Sequence, residues 1–280
     1  MSALVETYRG GVTVQECDAF GHLNIAYYVE RFADAAHELL QRTAPGGRWR
    51  TRSIATRYLT ELRAGDPIAI ASGVIALDAA SLTLGHVASN GIGGEPTTLA
   101  EQVLTLDAPD GEAWAETRER LAPTLAPWTH ERFAPVSLPA GEGPLLTGLN
   151  RVKPWEADAS GSLSLFGFIE RFSTANLVNM NAAGLTSTYM RAEKRGFATF
   201  ETRLELLSER PEIGDTIAIQ SGILELGNSS VKILHTMRLQ RGRRVARFYQ
   251  GGVHFDLEAR RSAPLPQALR EKAREQLIRA

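Results

Sequence analysis

The sequence of 280 residues contains a single cysteine, Cys17, and lacks any long apolar run. One cysteine excludes an intrachain disulfide and a cysteine-based metal cluster, and it is typical of a reducing compartment. The segment from Met1 to Glu6 lacks the basic start and apolar stretch of a signal peptide, and no segment reaches the length of a membrane span. We therefore expect a cytoplasmic protein with no membrane partner.

The chain also lacks an excess of charge of either sign. It has 31 Lys and Arg against 32 Asp and Glu, a net charge of −1, and 43% hydrophobic residues. This composition is typical of an ordinary soluble globular protein and predicts no nucleic-acid partner. His37 and Glu38 are adjacent, but the second histidine of a zinc-binding helix is missing, so no metal is expected.

What the sequence does contain is an internal duplication. Residues Asp18-Ala19-Phe20-Gly21-His22-Leu23-Asn24 recur 140 positions later as Asp158-Ala159-Ser160-Gly161-Ser162-Leu163-Ser164. The same spacing relates Glu30-Arg31-Phe32 to Glu170-Arg171-Phe172. Farther along, Gly65 to Val74 match Gly214 to Ile223 at a spacing of 149, so the second copy has gained nine residues.

Each copy is predicted to be an α+β unit. Apolar residues at helical spacing begin at Ile25 in the first copy and at Leu165 in the second, which predicts a helix of roughly four to five turns in each. Strand-like runs follow the first helix near residues 52–62, 65–74, 81–90 and 98–107, and the second helix near 199–208, 214–223, 229–240 and 245–257. Each unit is thus a strand, a long helix and four antiparallel strands.

We expect a first unit at residues 1–108, a proline-rich linker at 109–145, a second unit at 146–258 and a tail at 259–280. The linker has no sustained period, although a short helix is predicted near Glu112 to Leu121. The tail is polar and prone to form a helix.

The first copy resembles a known family. Residues Asp18 to Tyr28 look like the aspartate, glycine and helix start of hotdog-fold acyl-CoA thioesterases, in particular the 4-hydroxybenzoyl-CoA thioesterase-like branch. Residues Arg57 to Asp66 resemble that branch's second-strand segment before its Gly-Asp turn. In the hotdog fold a curved antiparallel sheet wraps a long helix, and two such units pair. The resemblance covers most of the chain and implies a double hotdog that hydrolyses acyl-CoA, with no cofactor beyond the CoA of the substrate.

Chemistry independently favours the loop that begins at Asp18. A thioester carbonyl needs a nucleophile or base on one side and hydrogen-bond donors toward its oxygen on the other. Asp18 supplies the carboxylate, as nucleophile or general base, and the helix N-terminus near Ile25 supplies N–H groups and partial positive charge. The alternative is that Asp18 only shapes a turn.

The remaining candidates each have a structural alternative. His22 is predicted to bind the thioester oxygen, orient Asp18 or transfer a proton, or else to pack as an ordinary histidine. Asn24 binds the acyl group or a water, or caps the helix. Four residues are predicted to bind the substrate: Gly21, Ile25, Tyr28 and Glu61. The alternatives are a special backbone conformation for Gly21, core packing for Tyr28 and solvation for Glu61.

Asp158, His86 and Cys17 are further candidates. The loop of Asp158 has lost the equivalents of His22 and Asn24, so Asp158 either shapes a turn or works with the helix dipole alone. His86 is a secondary candidate because a side chain in its strand can point toward the cleft, with solvation as the alternative. Cys17 is a possible thiol nucleophile, but a small buried residue is the favoured interpretation.

Three functions compete. Hydrolysis of an acyl-CoA leads, ahead of hydrolysis of an acyl-carrier-protein thioester. A hotdog hydratase or dehydratase fits less well, because such enzymes place histidine five positions after aspartate, whereas Asp18 and His22 are four apart. A non-catalytic acyl-CoA-binding module is the third. Exposed sheet edges leave a homodimer of whole chains open.

Overall fold

The computed structural model describes residues 3–107, 111–134, 138–139, 141–207, 209–240 and 242–278. The chain divides into two units, Met1–Ala134 (unit 1) and Pro135–Ala280 (unit 2). The predicted boundary at residues 108 and 109 lies outside the described residues, as do the last two residues of the predicted tail and the predicted strand end at residue 208.

Unit 1 is a five-stranded antiparallel sheet with a long helix on one face. Its elements are β1 (Val5–Gly11), α1 (Ile25–Thr43), β2 (Trp49–Tyr58), β3 (Pro67–Leu77), β4 (Leu82–Asn90), β5 (Pro96–Leu106) and α2 (Gly111–Leu121). The strand order is β1-β3-β4-β5-β2. Helix α1 forms because its apolar residues share one face, and Tyr28, Phe32 and Leu39 on that face are buried.

Unit 2 repeats this topology. Its elements are β6 (Leu145–Arg151), α3 (Leu165–Ala182), α4 (Ser187–Ala192), β7 (Arg195–Leu206), β8 (Thr216–Leu226), β9 (Ser230–Leu239), β10 (Arg244–Asp256), β11 (Arg261–Ser262) and α5 (Gln267–Arg274). The strand order is β6-β8-β9-β10-β7, with β11 paired to β10. Helix α4 and strand β11 are additions that the repeat did not predict, and α4 lies where the second copy has gained residues.

The segments after each sheet pack onto the unit that precedes them. The helix predicted near Glu112 to Leu121 is α2, and Leu121 is fully buried in the core of unit 1 beside Leu39 and Leu40. The Ala126 N–H donates to the Val74 carbonyl at 2.8 Å. Part of the predicted linker therefore completes the core of unit 1. The helix predicted in the tail is α5, whose Ala273 is buried in the core of unit 2.

A row of buried polar side chains crosses the sheet of unit 1, one residue on each strand. Thr7 Oγ1 lies 2.7 Å from Ser72 Oγ, which lies 2.7 Å from His86 Nδ1. On the next two strands, Gln102 Nε2 donates to Thr51 Oγ1 at 2.8 Å. All five side chains are buried, and the His86 ring packs on Phe32 of α1 with ring centroids 5.4 Å apart. The row therefore lies between sheet and helix.

Unit 2 contains the same row on the equivalent strands. Thr147 Oγ1 is 2.6 Å from Ser221 Oγ, which is 2.5 Å from His235 Nδ1, and Gln250 Nε2 donates to Thr199 Oγ1 at 2.7 Å. Burial lowers the pKa of His235 to about 3. Burial likewise lowers the pKa of His86 to about 4, and the neighbouring Gln102 side chain opposes this shift. Both imidazoles are thus neutral at physiological pH.

Candidate active site

The base of the first loop is held by a partly buried ion pair. A short 3-10 helix, Val14–Glu16, ends in Glu16, whose Oε2 accepts from the Thr13 N–H at 2.7 Å. Its Oε1 pairs at 2.8 Å with Arg31 on α1, and Arg31 also donates to the Gly11 carbonyl. Burial acts to raise the pKa of Glu16, but the Thr13 backbone and the Arg31 charge hold it below its ordinary value. The pair fixes the loop against the helix.

Asp18 shapes the turn that follows. Its Oδ1 accepts from the Phe20 N–H at 2.8 Å and from the His22 N–H at 3.0 Å. Gly21 closes the turn with φ of +78°, a left-handed conformation that favours glycine. Asp18 is exposed, and no cationic side chain in the described part of the chain pairs with it. One carboxylate oxygen is therefore committed to the turn, while Oδ2 remains open to solvent.

His22 joins two charged side chains from the segment after β2. Its Nε2 lies 2.9 Å from Arg63 Nη2 and 3.2 Å from Glu61 Oε2. The segment is held beside the loop because the Leu23 N–H donates to the Leu62 carbonyl at 2.8 Å. The structure thus brings together two predicted residues, His22 and Glu61, and adds Arg63, which the sequence analysis did not identify.

Asn24, Ile25 and Tyr28 lie at the start of α1. The Asn24 side chain accepts from the Ala26 N–H at 3.0 Å, so it is the N-cap. Ile25 is half-buried at the first helical position, and its N–H has no acceptor among the described residues. Tyr28 is 2% exposed, and its ring lies edge-on to Tyr58. Burial raises the pKa of Tyr28 to about 12. The structure therefore places Tyr28 in the core rather than on the loop surface.

The second loop has the same backbone and different chemistry. Asp158 Oδ1 accepts from the N–H and the hydroxyl of Ser160, and Oδ2 pairs at 3.2 Å with Arg210. The loop is anchored as in unit 1, by Glu156 paired with Arg171 at 2.6 Å. Both oxygens of Asp158 are thus occupied.

The acidic and basic residues beside the two loops occupy opposite positions. Arg210 stands at the position equivalent to Glu61, and Glu212 at the position equivalent to Arg63. Ser162 forms a β-bridge with Glu212 just as His22 does with Arg63. Aligning these two segments at the spacing of 149 is the signal that would have identified Arg63. The repeated Glu-Arg-Phe motif was, similarly, a signal for the anchoring Arg31.

Among the described residues, the side chains of Cys17 and His86 form no hydrogen bond with the side chain of Asp18 or His22. The half-buried Cys17 thiol donates to the Thr13 carbonyl at 3.4 Å. His86 is fully buried in the polar row. The described residues contain no group of three or more His, Cys, Asp or Glu arranged to hold a metal ion. Within the same residues, every helix is too short or too polar to cross a membrane.

Two segments of the chain match one known family. Residues 12–124 and 152–273 each match the model of a family described as the thioesterase-like superfamily. No curated protein matches the chain.

Two solved structures illustrate the similarity of fold. An acyl-ACP thioesterase from Bacteroides thetaiotaomicron VPI-5482 has a TM-score of 0.65 at 10% identity, covering 88% of this chain and 96% of that one. A 12:0-ACP thioesterase from Umbellularia californica has a TM-score of 0.62 at 9% identity, with coverage of 88% and 96%. At such identities the likeness shows the fold alone, and the predicted double hotdog is confirmed.

Proposed function

Because the chain belongs to the thioesterase-like superfamily and is a thioester hydrolase, we propose that it hydrolyses an acyl-CoA at the Asp18 loop of unit 1. The CoA thioester is favoured by the resemblance of residues 18–28 and 57–66 to the 4-hydroxybenzoyl-CoA thioesterase-like branch. The two similar structures are named for acyl-carrier-protein thioesters, so that substrate class is the alternative.

The observation that carries the proposal is the difference between the two aspartates. A carboxylate that attacks a carbonyl, or removes a proton from water, needs an unoccupied lone pair. Asp18 keeps Oδ2 open, whereas Asp158 gives Oδ2 to Arg210 and Oδ1 to Ser160. Unit 1 therefore holds the reactive loop, and Asp158 has a structural role.

The start of α1 supplies the second requirement of the reaction. The unpaired N–H of Ile25 and the positive end of the helix dipole suit the negative charge that develops on the thioester oxygen. Asn24 contributes by capping the Ala26 N–H, which fixes the first turn. Gly21 allows the loop to turn back toward the helix.

His22 is suited to transfer a proton during the reaction. A guanidinium can only donate a hydrogen bond and an ionised carboxylate can only accept one. The Nε2 atom of His22 therefore accepts from Arg63 in one state and donates to Glu61 in the other, at 2.9 and 3.2 Å. These alternating partners allow His22 to take a proton from water or to give one to the departing thiolate.

The experiment separates chemistry from folding at the turn. Asn replaces Asp18 with a side chain whose Oδ1 still accepts the Phe20 and His22 N–H bonds but which carries no charge. We expect Asp18→Asn to lower kcat by roughly 10²- to 10⁴-fold, the range for loss of a general base, with thermal stability unchanged. The matched variant Asp158→Asn retains activity.

Thiol release is measured across short, branched, aromatic and long acyl-CoAs, with the same acyl groups on a carrier protein as the second arm. Full activity of Asp18→Asn would assign the chemistry to His22 and Glu61, and loss of activity in His22→Asn and Glu61→Gln would then identify that pair. Equal losses from Asp18→Asn and Asp158→Asn would contradict the assignment to unit 1.

A further inference from the structure

The two units differ on the surface between the edge strand and the long helix. In unit 1 a groove of about 490 Å³ runs between β1 and α1, and charged side chains line most of it. Arg9 pairs with Glu6 at 2.7 Å, and Arg42 pairs with Glu38 at 2.6 Å. Charges on an edge strand discourage edge-to-edge association with another sheet.

The equivalent surface of unit 2 is apolar. Leu146 and Leu149 on β6 replace Glu6 and Arg9, while Leu177 and Val178 on α3 replace His37 and Glu38. We call these four residues the apolar face. Their exposed fractions are 54% for Leu146, 65% for Leu149, 65% for Leu177 and 43% for Val178. The equivalent residues of unit 1 line one groove, and β6 contacts α3 as β1 contacts α1. The four side chains therefore belong to one surface of unit 2.

The edge of β6 is also bare. In unit 1 the side chain of Tyr8 lies over the strand, where a Cβ on Gly10 would meet its hydroxyl at 2.7 Å. Gly148 stands at the equivalent position of β6 and has no side chain to cover the backbone. Among the described strands, β6 pairs with β8 alone, so its other side is a sheet edge of the kind that can pair with a second strand.

We propose that the apolar face and the β6 edge form the interface of a homodimer, in which β6 meets β6 of a second copy across a two-fold axis. One side of a standard interface buries about 800 Å² around an apolar core, and four neighbouring apolar side chains that are 43% to 65% exposed can supply that core. A two-fold axis brings the same patch onto itself. A neutral, apolar surface is complementary to its own copy.

The charge of α3 argues against a membrane or an acidic partner. Surfaces that bind anionic lipid carry several Lys or Arg beside the apolar residues. Helix α3 carries two charged residues, Glu170 and Arg171, and Arg171 is paired with Glu156. Helix α1 carries five in the same topological position.

The test transfers the charged surface of unit 1 to unit 2. Sedimentation velocity of the full chain over a dilution series is expected to show a dimer. The double variant Leu146→Glu with Leu149→Arg reproduces the Glu6 and Arg9 pair and should raise the dimer Kd by roughly 100-fold or more. The control, Glu6→Gln with Arg9→Gln, makes two substitutions on unit 1 and leaves the Kd unchanged.

A second variant covers the case in which the strand substitutions disturb folding. Leu177→Asn changes one exposed helical residue and should also weaken the dimer, with an unchanged melting temperature of the monomer. A wild-type chain that stays monomeric at every concentration overturns the proposal, and so does a dimer that these variants do not weaken. A monomer that binds phospholipid vesicles through Leu177 would instead assign the face to a membrane.

Discussion

At the scale of single residues, the two loops show how one backbone supports different chemistry. Asp18 and Asp158 make the same turn, because each Oδ1 accepts an N–H two positions later. The two loops differ in the side chains that the segment after the second strand of each unit places beside them. This segment carries Glu61 in unit 1 and Arg210 at the equivalent position in unit 2. A residue far away in sequence thus decides whether the second oxygen of the aspartate is paired, as in Asp158, or open, as in Asp18.

The positive φ of Gly21 predicts a measurable cost for adding a side chain. A Cβ there meets nothing within 4 Å, so Gly21→Ala is opposed by backbone conformation alone. We expect a loss of about 1 kcal/mol in the free energy of unfolding, measured by chemical denaturation. Gly161→Ala, at φ of +81°, should cost a similar amount.

Activity distinguishes these two glycine variants. Because unit 1 carries the proposed site, Gly21→Ala should also reduce kcat, while Gly161→Ala should not. Gly11→Ala is the control, since Gly11 has no positive φ and its added Cβ would make only an ordinary contact at 3.9 Å. An equal effect on stability from Gly11→Ala would contradict the explanation.

The sequence predicts contacts between residues that are close in sequence better than contacts between distant ones. Asp18, His22 and Asn24 lie in one motif at a helix start, so sequence alone predicted the cap and the turn as alternatives to chemistry. The meeting of His22 with Glu61 depends on the Leu23 N–H reaching the Leu62 carbonyl. No local sequence pattern predicts that this segment lies beside the loop. The difference between Glu61 and Arg210 can be interpreted only when that contact is known.

At the scale of elements, the two long helices and the shorter helices α2 and α5 were predicted, whereas α4 and β11 were not. Helices α1 and α3 begin where their apolar period begins. Strand β2 was predicted at 52–62 and runs from Trp49 to Tyr58. Its predicted end was too late because Leu62, although buried, lies in the loop that carries Glu61 and Arg63. Helix α4 has six residues, too few to show a helical period.

The polar row predicts a specific weakness of each sheet. Ser72→Ala would leave His86 Nδ1 buried without its partner at 2.7 Å, and an unpaired buried group costs about 1 to 3 kcal/mol. Ser221→Ala should cost a similar amount in unit 2. Denaturation measures both, and Ser89→Ala on β4, outside the row, is the control. If the three variants were equally stable, the row would be incidental to stability.

At the scale of the whole molecule, duplication has kept what folds each unit and changed what each unit presents. The polar row, the Glu-Arg anchor and the turn of the aspartate loop recur in both units. The side chains around His22 and the surface beside the edge strand do not. This separation agrees with one unit carrying the proposed chemistry and the other the proposed interface.

The buried histidines predict how the stability of the molecule depends on pH. The folded pKa is about 4 for His86 and about 3 for His235, against about 6.5 in an unfolded chain. Between these values the unfolded chain binds protons that the folded chain excludes. Stability is therefore fully present above pH ~6.5 and falls as the pH is lowered, by about 1.4 kcal/mol per pH unit for each histidine.

Unit 1 offers a direct measurement of this slope. Trp49 and Trp114 pack against its core, so tryptophan fluorescence during urea titration follows its unfolding. Between pH 6 and 5, His86→Gln should remove the steep part of the dependence for unit 1, whereas His235→Gln should leave it in place. The acids Glu30 and Asp34, whose pKa values are raised chiefly by burial, act in the opposite sense at lower pH. A wild-type stability that stayed flat from pH 6.5 to 5 would show that His86 becomes protonated without unfolding, and the row would then have to accommodate an imidazolium beside Ser72.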